Sequence, residues 1–258
     1  TWAGGAVARI ASTAGRIWMG VAGEGTVVCD LSQGLAYYRP TGSGQGAGTQ
    51  VLDFLLGNDG AVWWCDGSSI LRRADVDVLV TPEHERVDMR GITAIAPGPG
   101  NRIAFASGRG VFIHANTFQE DHRLQRFQLP VDSSTRPVSL LKDTDGALWA
   151  GTFGNGVFRI FNDGPPRPFI GTPVPLNDNV LSIHDRNDTV WFATLDGLYR
   201  HTKGPTPTGV TTKMPIPGSG FTYDVLPLAD GAVLVATDGN GVIRVERDGT
   251  ARILPGAG

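Results

Sequence analysis

The sequence predicts an all-β chain, and three observations carry that prediction. Short apolar runs rich in Val, Ile, Leu and Trp alternate with turns built on Gly, Asp and Asn, residues that supply or tolerate the positive φ that tight hairpins need. No segment shows a 3.6-residue apolar period of helical length. One short pattern, Gly-x-apolar-Trp-x-small, recurs along all 258 residues.

The pattern is clearest in residues 137–160, PVSLLKDTDGALWAGTFGNGVFRI, which read as three antiparallel strands joined by an Asp-x-Asp-Gly turn and a Gly-rich turn. Taken in order, its first copy is Gly15-Arg16-Ile17-Trp18-Met19-Gly20, within a unit whose four strands fall near residues 7–11, 17–21, 26–30 and 35–39. The second copy is Gly60-Ala61-Val62-Trp63-Trp64-Cys65. The third, Asn101-Arg102-Ile103-Ala104-Phe105-Ala106, replaces Trp by Ala104. The fourth is Gly146-Ala147-Leu148-Trp149-Ala150-Gly151, with strands near 138–142, 147–151, 157–161 and 168–170. The fifth is Asp188-Thr189-Val190-Trp191-Phe192-Ala193. The sixth, Gly231-Ala232-Val233-Leu234-Val235-Ala236, belongs to strands near 223–228, 233–237, 242–246 and 251–254. The Trp-equivalent positions 18, 63, 104, 149, 191 and 234 are 45, 41, 45, 42 and 43 residues apart.

Four-stranded units at this period predict a β-propeller of six blades, a single domain over residues 1–258. One blade cannot bury both faces alone, whereas stacked blades can, and a closed ring removes exposed sheet edges. Trp18, Trp63, Trp149 and Trp191 are expected on second strands, filling the layer between blades. Closure has two readings. The last unit has its own fourth strand, yet Thr1-Trp2-Ala3-Gly4-Gly5 resembles the Trp strand of a blade. An N-terminal strand completing the last blade therefore stays open, as does a piece cut from a longer propeller. Thr1 in place of Met predicts a processed or excised segment.

Composition narrows the function. The chain is 41% hydrophobic, with 36 Gly and 17 Pro, a turn-rich globular composition. Its 22 Lys+Arg against 25 Asp+Glu, a formal net charge of −3, form no block, which argues against nucleic acid as a partner. No apolar run approaches the roughly 20 residues of a membrane span, so no membrane insertion is expected. Cys29 and Cys65 are too few for a disulfide scaffold or a four-Cys metal site. They read as two buried thiols, with a bridge between neighbouring units as the alternative.

At the level of wording, Leu176-Asn177-Asp178-Asn179-Val180-Leu181-Ser182-Ile183-His184-Asp185, then Val190-Trp191-Phe192-Ala193-Thr194 and Asp196-Gly197-Leu198-Tyr199-Arg200, resembles the two-component regulator propeller repeat. So does Val138-Ser139-Leu140-Leu141-Lys142-Asp143 with the following Asp145-Gly146, Leu148-Trp149 and Gly151-Thr152. The third unit departs most, with Ala104 and the turn Pro97-Gly98-Pro99-Gly100. The resemblance implies an extracytoplasmic sensor portion of a bacterial signalling protein, periplasmic or extracellular, with carbohydrate-derived ligands. Similar repeats also occur in propeller lyases and hydrolases.

Catalysis needs convergent acids, bases or nucleophiles. His84, His114, His122, His184 and His201 share no metal-ligand spacing, so neither a metal nor another cofactor is expected. His114 and His201 read as packing or surface residues. His184 falls on a first strand, which lines the channel in propellers, and is the catalytic candidate of the enzyme reading. Asp59, Asp143, Asp145, Asp185 and Asp230 recur in register and read as turn formers. Gly-x-Ser-x-Gly, Walker and His-Glu-x-x-His motifs are absent, and Gly-Asn-Gly at 154–156 and 239–241 is a turn between strands.

Binding is better motivated. Second-to-third-strand turns and inter-blade connections share one rim, which would gather Phe153, Asn155, Asp196, Asp238 and Asn240 with Arg90, Arg109 and Arg136. The three arginines surround the third unit and can hold a carboxylate or sulfate by bidentate hydrogen bonds. The sequence thus predicts a non-enzymatic module whose partner is a small polar or acidic ligand, an oligosaccharide among them, or a protein. A polysaccharide lyase or hydrolase using His184 is the alternative, and a structural scaffold is a third reading.

Overall fold

The computed structural model describes residues 7–13, 15–21, 25–30, 36–38, 51–56, 62–66, 70–74, 86–88, 91–99, 102–108, 110–115, 124–132, 135–204, 209–218 and 220–255. Arg90, Arg109, Asp59, His84, His122 and residues 1–5 lie outside them. The chain packs as two compact units, Thr1–Gly108 with Phe112–Gln125, and Arg109–Val111 with Arg126–Gly258.

Among the described residues every element is a strand. In the first unit one sheet comprises β1 (Val7–Thr13), β2 (Arg16–Val21), β3 (Gly25–Asp30) and β4 (Ala36–Tyr38), and a second β5 (Val51–Leu56), β6 (Val62–Asp66), β7 (Ile70–Ala74) and β8 (Arg86–Asp88). The third sheet is β9 (Ile92–Pro97), β10 (Arg102–Ser107), β11 (Gly110–Ala115) and β12 (Gln125–Gln128). In the second unit the fourth sheet is β13 (Arg136–Lys142), β14 (Leu148–Phe153), β15 (Val157–Ile160) and β16 (Arg167–Phe169). The fifth follows as β17 (Val180–Arg186), β18 (Thr189–Thr194), β19 (Gly197–Thr202) and β20 (Val210–Lys213). The sixth is β21 (Thr222–Pro227), β22 (Val233–Thr237), β23 (Gly241–Val245) and β24 (Ala251–Ile253). Each sheet is an antiparallel meander in chain order, and the expected strands of the first, fourth and sixth repeats fall within about two residues of these limits. No helix among the described residues is long and apolar enough to cross a membrane.

The recurring Trp does what its spacing predicts. Trp149 on β14 is buried in one cluster with Val180 and Ile183 of β17 and Val190 and Phe192 of β18. Trp191 on β18 joins Val225, Val233 and Ile243 of the sixth sheet. In the first unit Trp63 packs with Ile92, Ile95, Ile103 and Phe105, and Trp18 with Val51, Val62 and Trp64. Each aromatic ring therefore belongs to two sheets at once. The third repeat has Ala104 in place of Trp, and the next residue, fully buried Phe105, faces the layer shared with Trp63 of the second sheet.

The small residue two places after Trp has an equally direct cause. Side chains i and i+2 share a face of a strand, so this position also meets the next sheet. A Cβ on Gly20 would lie 2.7 Å from Val51 Cβ, and one on Gly151 would run into Ser139 Oγ and lie 3.0 Å from the Val180 carbonyl oxygen. Trp fills the wide part of the layer, and the small residue admits the next first strand where the layer is narrow.

The Asp turn is also an anchor. Asp143 Oδ1 accepts the Asp145 and Ala147 N–H groups at 3.0 and 2.9 Å, while Oδ2 accepts Trp149 Nε1 at 2.8 Å. Lys203 of the fifth sheet reaches the same carboxylate at 3.1 Å and Asp145 at 2.8 Å. Asp230 repeats the turn by accepting the Ala232 N–H. Asp185 differs, because its carboxylate accepts Thr144 N–H from the preceding sheet, and burial pushes that carboxyl upward. Cys29 and Cys65 are both buried free thiols, the first of the two readings.

Candidate functional site

All six first strands carry a bulge at the same place. Pairing with the second strand slips by one between Val7 and Arg9, Val51 and Asp53, Pro137 and Ser139, Val180 and Ser182, and Thr222 and Asp224. In the third sheet Ile92 and Ala94 bracket the slip on β9. A bulge inserts one unpaired residue and re-phases the strand. Residues three apart then point inward together, as Val180 with Ile183 and Ile92 with Ile95 do. The residue after the bulge and the one two further on turn to the other side.

Those two positions compare the six repeats directly. The first is held by Arg9, Asp53, Ala94, Ser139, Ser182 and Asp224, and the second by Ala11, Leu55, Ala96, Leu141, His184 and Leu226. His184 is thus the single polar residue in a row of apolar ones. Ser182 Oγ donates to Asp224 Oδ1 at 2.5 Å, and His184 Nε2 lies 3.1 Å from the same oxygen, across from the fifth sheet to the sixth. The Val225 N–H also donates to it at 2.9 Å. Imidazole and carboxylate side chains are 42% and 64% exposed, so the cluster faces solvent.

The electrostatics follow from this geometry. Crowding by protein, the largest influence, pushes the Asp224 carboxyl up. The hydrogen bonds from His184 and Ser182, the His184 charge and the Val225 N–H outweigh it and hold the group below the usual carboxylate range. Facing an ionised Asp224, Nε2 is the ring nitrogen of His184 that donates, and Nδ1 is the second polar atom of the ring. Because Ser182 spends its proton on Asp224 and not on His184, the three residues do not form a serine nucleophile with its base. They form a hydrogen-bonding surface, with exposed Leu226 two residues beyond Asp224 as an apolar neighbour.

Ser182 and Asp224 were not singled out by the sequence reading. Their signal is the register comparison above, which needs the bulge to be placed first. Of the rim residues, Arg136 and Phe153 are brought together as cross-strand partners, both exposed. Asn155 Nδ2 donates to Thr135 Oγ1. Asp196 pairs with Lys213 Nζ at 2.7 Å and accepts Tyr199 OH at 2.9 Å, and these bonds, Lys213 foremost, hold its carboxyl below the usual range. The Asn240 amide lies against Gly218, and the Asp238 N–H donates to the Phe221 carbonyl at 3.1 Å. Asn155, Asp196 and Asn240 are therefore each tied to a neighbour outside the set. A hollow of about 390 Å³ opens beside Asp196, bounded by Lys213, Met214 and Ile216.

His201 is a packing residue. It is buried edge-on against Phe169, 4.8 Å between ring centroids, with Nδ1 3.1 Å from Thr211 Oγ1. Among the described residues no group of three or more His, Cys, Asp or Glu could hold a metal ion.

No family model matches the chain, and no curated protein sequence does. Solved structures do. A catalytically inactive His-to-Ala variant of virginiamycin B lyase from Staphylococcus aureus, with quinupristin, superposes with a TM-score of 0.75 at 20% identity, over 95% of this chain and 83% of that one. An extracellular domain assigned to a hybrid two-component system of B. thetaiotaomicron gives 0.73 at 16% identity, covering 98% of this chain and 35% of that domain. The Cps50 (Swd1) β-propeller domain of Myceliophteria thermophila gives 0.72 at 13% identity, over 95% and 85%. These likenesses establish the fold, an all-β propeller of four-stranded antiparallel sheets.

Proposed function

We propose that this propeller is a recognition module that binds a small, hydroxyl-rich ligand on the first strands of its fifth and sixth sheets, outside the cytoplasm of a bacterium. The observation that carries the reading is the convergence of Ser182 and His184 on one oxygen of Asp224. That leaves the other carboxylate oxygen and His184 Nδ1 to meet ligand hydroxyls, with exposed Leu226 as the apolar surface beside them. Few, fixed polar groups beside an apolar face are the usual make-up of a small-molecule site. The extracellular sensor domains among the structural neighbours support the setting, although the chain spans only about a third of their length.

A second reading rests on the same histidine. Held by an ionised carboxylate, His184 can act as a general base. It would take a proton from carbon beside a carbonyl, the C–H electron pair would become a double bond, and a β-oxygen would leave. The lyase among the neighbours, inactivated by loss of a histidine, supports this alternative.

One experiment separates the two. Melting of the wild-type protein, His184→Ala and Asp224→Asn is followed against neutral and acidic oligosaccharides, each recovered afterwards for mass spectrometry. A ligand present at a hundredfold above Kd should raise Tm by about 5 to 10 °C. Both variants should abolish the rise, with the sugar recovered intact. A product with a new double bond that disappears in His184→Ala establishes the lyase. A rise unchanged in both variants overturns the assignment of the site.

A further inference from the structure

The first-to-second-strand turns of the fifth and sixth sheets enclose a cavity of about 410 Å³ at the end of the sheets opposite the rim. Three guanidinium groups line it, Arg186, Arg200 and Arg247. Among the described residues none of the three pairs with a carboxylate. The acids in the lining are Asp188 and Asp230, and Asp230 is already engaged by Arg244. The cavity therefore carries excess positive charge.

Arg200 is the centre of the arrangement. Its guanidinium lies over Trp191, 5.9 Å from the ring centroid, and its Nε is buried without a hydrogen-bond partner. A buried charged donor left unsatisfied is costly, and the indole face attracts the guanidinium by a cation–π contact. Arg186 and Arg247 stand exposed beside it, from β17 and from the turn before β24, and the Arg247 stem lies along Gly231. Pro227 and Leu228 provide a partly buried apolar wall.

We propose that this cavity is a second binding site, for a small organic anion. Its carboxylate, sulfate or phosphate group is held between Arg200 and the two outer arginines, and its apolar part lies on Pro227 and Leu228. The three head groups share one chemistry, an oxyanion that accepts paired N–H bonds from a planar fork. The site is separate from the Ser182, His184 and Asp224 cluster, and it stands or falls without it.

The test is titration of the full chain with sodium phosphate, sodium sulfate and sodium glucuronate, read by calorimetry and by Tm, against sodium chloride at matched ionic strength. At least one anion should bind saturably beyond the chloride control, and the preferred one identifies the head group. Arg200→Gln should weaken that binding about tenfold or more. Exposed Arg167 on β16 is the control, and Arg167→Ala should leave binding unchanged. Should Arg200→Gln not fold, the double variant Arg186→Ala with Arg247→Ala removes two surface side chains and should give the same loss. Binding must persist in His184→Ala, which separates this site from the first. Failure of all three anions to exceed chloride, or equal binding by the arginine variants, overturns the proposal.

Discussion

At the scale of single residues, burial decides which titratable groups take part in the chemistry and which stabilise packing. His201 is surrounded by Phe169 and Trp149. Burial, then the charges of Arg159 and Lys203, depress its pKa. The folded chain therefore holds His201 neutral, while the unfolded chain protonates it near the ordinary histidine value of about 6.5. The unfolded state binds more protons, so this contribution to stability is complete above that value and is lost as pH falls toward the folded pKa. Tm should fall between pH 7 and pH 5, and His201→Gln should flatten that slope. An identical slope in the variant would assign the loss to other groups. His184, with the same side chain, is held by one carboxylate at a solvent-facing surface, and the difference between the two histidines is wholly one of surroundings.

At the scale of the strand, the second strands are governed by a pairing of large and small. Trp149 and Gly151 point the same way toward β17, and neither can change alone. Gly151→Ala places a methyl group against Ser139 Oγ and the Val180 backbone, and backbone yields less readily than side chain. The expected loss is about 1 to 3 kcal/mol, the usual range for overpacking. In urea unfolding it should appear as a lower midpoint with an unchanged m-value. A neutral outcome would mean that β13 and β17 can move apart at the narrow end of the layer. The strand scale is also where the sequence was most legible. The spacing of Trp18, Trp63, Trp149 and Trp191 located four second strands, and the Asp-x-Asp-Gly turn predicted at Asp143 is present with its hydrogen bonds. What stayed hidden is the bulge on each first strand, since Leu181 and Tyr223 differ in no compositional way from their neighbours. Without that slip the contact of Ser182 and His184 with Asp224 has no expression in a list of residues.

For the molecule as a whole, stability repeats with the sequence. Second strands are flanked on both sides within their sheets and lie in the apolar layers, β14 being buried over most of its length. Fourth strands are short and largely open to solvent, as β16 and β24 are. Amide hydrogen exchange should therefore show protection maxima near residues 18, 63, 104, 149, 191 and 234, the positions of the repeat, with minima on the outer strands. A profile lacking that recurrence would contradict a stack of equivalent sheets. Function follows the opposite rule at His184, where the repeats differ, while Arg200 holds the cross-strand position that Arg73, Arg159 and Arg244 hold in other sheets. The slip on each first strand gives that contrast a practical meaning. It is followed by one residue per repeat, from Arg9 to Asp224, that stands at the same point in every sheet. Such positions can be rewritten without redrawing the scaffold, so a library randomised only there would explore new ligand preferences in modular steps, much as changing single letters in a fixed-length code alters the message and not the page.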